Sequence, residues 1–108
     1  MSKKYTYPFI YPIDDKINIH IEHIDDSVSC IWFCNNNQEE DNIPNEIEIY
    51  NSNDEIVKPF RNTQSYAISK NGTYEIKYNN KTIIELETLC HPTMPPIIKN
   101  EIKVVTPN

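Results

Sequence analysis

The sequence predicts an all-β fold, an antiparallel β-sandwich of about seven to eight strands. Tyr74, Ile76 and Tyr78 alternate with Thr73, Glu75 and Lys77, the period-2 pattern of a strand with one buried face. Comparable runs recur every eight to twelve residues between turn residues. No stretch of ten residues keeps helical apolar spacing, and eight prolines, one glycine and abundant isoleucine suit strands joined by proline-punctuated turns.

The N-terminal run alternates Tyr5, Tyr7, Phe9, Tyr11 and Ile13 with Thr6, Pro8, Ile10 and Pro12. Pro8 and Pro12 lack the N–H groups of one edge, so this run is expected to be an edge strand or a polyproline-like run beside one. Ile17, Ile19 and Ile21 alternate with Asn18, His20 and Glu22 in a second strand. Asp25, Asp26 and Ser27 then turn the chain. Val28, Cys30, Trp32 and Cys34 share one face of the next strand and Ser29, Ile31 and Phe33 the other. Apolar groups on both faces mark it as central. The polar stretch 35–45 is expected to be the longest loop. Ile47 and Ile49 form a short strand, 51–54 a turn, Ile56 to Phe60 a returning strand, and Tyr66 and Ile68 another.

Asn79 and Asn80 supply the left-handed backbone of a hairpin between 73–78 and the strand ending at Leu89. A two-residue loop would set Tyr74 against Glu85. A three-residue loop ending at Lys81, or a bulge, pairs Ile76 with Ile84 and Tyr74 with Leu86, and sets Glu75 beside Glu85. The apolar match favours that register, by the three-residue loop or the bulge. Residues 90–108 are expected to be a proline-rich connector followed by an extra C-terminal strand, within a single 1–108 domain that has no internal repeat.

A chain of 108 residues buries about two-thirds of its unfolded surface and needs no disulfide or metal to fold. No apolar run approaches the roughly 20 residues that span a bilayer, and no signal-peptide core follows Met1, so no membrane contact is expected. With an odd count of three cysteines, the expectation is a reduced, cytoplasmic protein, in a host cell or virion included. Asn and Ile make up about 30% of the chain, which reads as the codon bias of an AT-rich genome. The formal charge of −6, with Arg61 the only arginine, argues against nucleic acid as partner.

The motif Gly72-x-Tyr74-x-Ile76 resembles the opening of strand F in immunoglobulin-like domains, with Tyr74 at the tyrosine-corner position and Ile76 where the cysteine would be. Trp32 is similar to the strand C tryptophan, following Ile19 or Ile21 of strand B. The resemblance spans about residues 14–89 and implies a disulfide-free immunoglobulin-like β-sandwich, with one strand beyond strand G. A fold of this kind does not carry a function.

Candidate chemistry is thin. Cys30 and Cys34, on one face of one strand, lie about 13 Å apart, too far for a disulfide. Cys34 and Cys90 could meet, but buried free thiols are the stronger expectation. Cys34, Cys90 and His91 lack the paired spacing of a zinc site. Cys90 and His91, adjacent in an extended chain, point opposite ways and make a poor nucleophile and base. His20 and His23 read as polar-face residues. Asn51, Asn53 and Glu55 alternate like calcium ligands but lack the glycine and the carboxylates. The sequons at Asn71 and Asn80 matter only in a secreted protein. No phosphate loop, nucleophile elbow or metal cluster is visible, so no enzyme, metal or cofactor is expected.

The expectation is a non-catalytic protein–protein interaction domain, such as a small inhibitor or host-interaction factor. It would bind through the acidic 35–45 loop (Asn37, Glu39, Glu40 and Asp41) or an edge strand carrying Tyr5, Tyr7 and Tyr11, the latter also a route to homo-oligomers. One alternative is a carbohydrate-binding module with Tyr5, Tyr7, Phe9 and Tyr11 as a stacking row. Another is a structural subunit of an assembly.

Overall fold

The computed structural model describes residues 3–5, 9–25, 28–62, 64–91, 94–95 and 97–105; of these, the side chains of 3–5, 24–25, 62, 90–91 and 97–100 lie outside the description. Ten strands follow in chain order: β1 (Lys3–Tyr5), β2 (Phe9–Pro12), β3 (Ile17–Asp25), β4 (Val28–Asn35), β5 (Glu40–Asp41), β6 (Ile47–Tyr50), β7 (Tyr66–Ile68), β8 (Gly72–Tyr78), β9 (Lys81–His91) and β10 (Ile97–Val104), with a 3-10 turn at Phe60–Asn62. The all-β expectation holds. One sheet runs β1-β10-β9-β8-β6, the other β2-β3-β4-β5 with β7 also beside β4, and every pairing is antiparallel. The chain divides into two compact units that follow the sheets: Met1–Thr6, Glu46–Val57 and Lys70–Asn108 in one, Tyr7–Asn45 and Lys58–Ser69 in the other.

In the first unit, β8 and β9 form the hairpin that the apolar pattern calls for. Tyr74 pairs with Leu86, Glu75 with Glu85 and Ile76 with Ile84. The extra residue is a bulge rather than a longer loop: Lys77 pairs with Thr82 and Tyr78 with Lys81, so Ile83 is skipped. Asn79 and Asn80 both have positive φ (53° and 64°), the backbone of a two-residue type I′ turn. The bulged residue is still used, since its carbonyl accepts from the Val105 amide at 2.8 Å. Val104, Ile84, Ile76 and Ile49 then face one another across four strands, three of them wholly buried. Each such side chain is worth about 1.5–3 kcal/mol of burial.

In the second unit, Ile19, Ile21, Ile31 and Phe33 are fully buried, with Phe9, Tyr66 and Ile68 nearly so. β4 is central, as expected, flanked by β3 on one side and by β5 and β7 on the other. β2 is an edge strand, again as expected.

Five expectations change. Cys90 and His91 do not open a connector, because β9 continues through His91 and both residues pair with β10. The run 5–13 is not one strand, because Tyr5 belongs to β1 in the first sheet and Phe9 to Pro12 to β2 in the second. Ile56 to Phe60 is not a returning strand. It keeps one bridge, Tyr50 to Ile56, and one bond from the Val57 amide to the Ile49 carbonyl, before Pro59 supplies no donor. Inside 35–45, the chain forms a tight turn and then β5 rather than one open loop. Trp32 does not lie on the strand beside Tyr74, because β6, not β4, pairs with β8.

Candidate functional site

The face of the second sheet opposite its core has the richest chemistry among the described residues. Ile19, Ile21, Ile31 and Phe33 point to the core, so strand alternation turns His20, Glu22, Cys30 and Trp32 the other way. Register then places Ile10 beside His20, His20 beside Trp32, and Glu22 beside Cys30, with Ala67 on the far side of Cys30. His20 stacks on Trp32 with centroids 4.1 Å apart and planes tilted by 39°. Its Nδ1 lies 3.3 Å from Glu22 Oε1. Ile10 is 52% exposed at the sheet edge.

Beside this pair lies an open hollow of about 260 Å³ lined by Cys30, Trp32, Glu40 and Ser65. Burial pushes the Cys30 thiol above its ordinary pKa. A hydrogen bond with Ser65 opposes that shift, and the negative charges of Glu22 and Glu40 add to it. The thiol is therefore neutral at physiological pH and a weak nucleophile. Cys34, on the same strand, is a free thiol and 1% exposed.

The 35–45 segment delivers only part of the anticipated site. Asn35 organises its turn: Asn35 Oδ1 accepts from the Asn37 and Glu39 amides at 2.9 and 3.0 Å, and Nδ2 donates to Glu39 at 3.4 Å. Asn37 and Glu39 are exposed at the turn. Glu40, on β5, is the residue that reaches the hollow. Asp41 sits opposite Phe33 and takes the Asn42 amide at 2.8 Å.

Of the aromatic row, Phe9 is 6% exposed, with its ring stacked on that of half-buried Tyr11 at 6.1 Å, so the Phe9 ring itself offers little surface to a sugar. Tyr7, and the side chain of Tyr5, lie outside the described residues, as do the side chains of Cys90 and His91.

The Asn51 segment repeats the Asn35 turn bond for bond. Asn51 Oδ1 accepts from the Asn53 and Glu55 amides at 2.9 and 3.0 Å, and Nδ2 donates to Glu55 Oε1 at 3.4 Å. Gln38 and Asp54, the fourth residues, have φ of 64° and 59°. The Asn51 and Glu55 side chains, two of the three that alternate like calcium ligands, close this turn, while Asn53 joins it through its backbone amide. Among the described residues, no group of three His, Cys, Asp or Glu side chains is placed to hold a metal ion.

The first sheet carries a second concavity of about 300 Å³, lined by Thr73, Glu85, Glu87, Glu101 and Lys103, where Lys103 Nζ lies 3.6 Å from Glu85. On the core side of that sheet the Tyr74 hydroxyl donates to the Lys70 carbonyl at 2.9 Å.

Of the residues singled out in the sequence, Glu40 lines this hollow, whereas the sequence pattern does not group His20, Trp32 and Ser65 as one surface. The usable signal was the isoleucine row 17-19-21, which turns His20 to the face away from the core. Comparison with family models, with curated proteins and with solved structures finds no match to this chain.

Proposed function

We propose that this chain is a non-catalytic protein-interaction domain of immunoglobulin-like type, recognising its partner with the outer face of β2, β3 and β4. Connectivity supports the immunoglobulin-like part. β4 pairs with β7, as strand B pairs with E, and β6 pairs with β8, as C pairs with F, while β9 takes the place of G. β3 then stands for strand A, and β2, β10 and β1 are additions at the sheet ends. On this lettering Trp32 belongs to strand B rather than C. The Tyr74 bond back to Lys70, four residues upstream, is tyrosine-corner geometry.

One observation carries the interaction reading: the Trp32–His20 stack stands on the face that the core does not use, next to a hollow and the exposed Ile10. A tryptophan that packs no core and lines a concavity is the residue type on which interfaces centre. Affinity capture with wild type, Trp32→Ala and an Asn37→Ser/Glu39→Ser variant tests this. The reading expects one partner to be lost by Trp32→Ala and kept by the turn variant. The reverse pattern would move recognition to the 35–39 turn.

A further inference from the structure

We propose that the hollow beside Trp32 receives a lysine or arginine side chain of the partner protein. The inference rests on the recognition face argued above and names the chemistry of its occupant. Size comes first. About 260 Å³ falls short of the roughly 300–1,000 Å³ of small-molecule sites, so the hollow suits one side chain better than a whole ligand.

Its lining selects the charge. Trp32 offers aromatic surface, which attracts cations through the ring quadrupole. Glu40 stands in the wall, and Glu22, 44% exposed, is the cross-strand neighbour of Cys30. Both carboxylates act on the Cys30 thiol, so their field reaches the inside of the hollow. Ser65 adds a hydroxyl oxygen, and Cys30, held neutral, adds no charge of its own. No cation is among the described lining residues. Elsewhere this chain covers aromatic rings with Arg61 over Phe60 at 5.0 Å and Lys77 over Tyr50 at 4.9 Å; among the described residues no Lys or Arg is placed over Trp32, whose ring is stacked by His20. A net charge of −6 steers a basic partner toward the face, and steering of that kind weakens with salt.

Trp32 is the only tryptophan, so its fluorescence reports on the hollow alone. The test titrates the whole protein with the blocked tripeptide Gly-Arg-Gly, its lysine counterpart, and the neutral isostere in which citrulline replaces arginine. The proposal predicts saturable change with the two cationic peptides and none with citrulline. It also predicts at least fivefold weaker binding in Glu40→Gln, whose fold is checked by circular dichroism, and in 0.5 M salt. Equal responses to arginine and citrulline, or a flat arginine titration, would overturn it. If the titration is flat but Trp32→Ala still loses the captured partner, the cationic occupant is wrong and the recognition face stands. Capture that ignores Trp32→Ala would remove the face and the occupant together.

Discussion

Replacing Tyr74 with phenylalanine tests the corner that ties β8 to the turn before it. The ring is 6% exposed, and phenylalanine keeps its packing while deleting one hydroxyl. That hydroxyl donates to the Lys70 carbonyl at 2.9 Å, a bond worth about 0.5–1.5 kcal/mol net. A second donor reaches the same oxygen, since Thr88 Oγ1 lies 3.4 Å away. Tyr74→Phe therefore does not orphan the carbonyl and is expected to cost about 1 kcal/mol, near 4 °C in Tm for a chain of this size. Thr88→Val, losing the longer bond, is expected to cost about 0.5 kcal/mol. Removing both donors leaves the carbonyl without a hydrogen-bond donor among the described residues, where the penalty for an unsatisfied acceptor rises to about 1–3 kcal/mol. The double variant should thus exceed the sum of the singles by about 0.5–1 kcal/mol. Urea unfolding at constant m-value measures all three differences. Additivity within about 0.3 kcal/mol, or a neutral Tyr74→Phe, would refute the shared-carbonyl argument.

Asn35→Ala and Asn51→Ala each remove an acceptor for two backbone amides, and each should cost about 1–2 kcal/mol by the same unfolding assay, with the two effects alike because the turns are alike. Glu75 faces Glu85 directly across β8 and β9, so Glu75→Lys should stabilise by about 0.2–1 kcal/mol, with the gain shrinking as salt is added. Stability should fall on the alkaline side: burial raises the folded pKa of Cys30 and of Tyr74, so the native state holds protons that the unfolded chain releases from about pH 8.5 and about pH 10 respectively. This stability is complete below those unfolded values and lost as pH climbs through the folded ones. Urea midpoints should decline over that range, less steeply in Cys30→Ala at the lower end and in Tyr74→Phe at the upper, and midpoints that rise with pH would contradict the sign.

Much of the fold is legible because apolar periodicity decides it. The β8–β9 register follows from matching Ile76 with Ile84, since a slip of one residue would bury Glu85. The same pattern cannot say how the extra residue is absorbed, and the bulge at Ile83 depends on the Val105 amide reaching its carbonyl. With one glycine in the chain, left-handed backbone among the described residues falls to Gln38, Asp54, Arg61, Asn79 and Asn80, and only the Asn pair announces itself. The two N-x-N-x-E turns are plain once their bonds are seen, yet composition alone makes 35–45 look like open loop. Tyr5 and Phe9 share an alternating pattern but belong to different sheets, because period-2 alternation reports a face and not a partner. The candidate surface was only partly legible for a similar reason. Glu40 stands out by charge, whereas Trp32, between Cys30 and Cys34, reads as core until the buried Ile31 and Phe33 turn it outward.

Recognition through the outer face of β2, β3 and β4 is open to a single measurement: backbone amide and Trp32 indole shifts, recorded on the labelled protein as the captured partner is added. Binding through that face gives shifts clustered at Ile10, His20, Glu22, Cys30, Trp32, Glu40 and Ala67. Shifts confined to Thr73, Glu85, Glu87 and Glu101, or to the 35–39 turn, would contradict it.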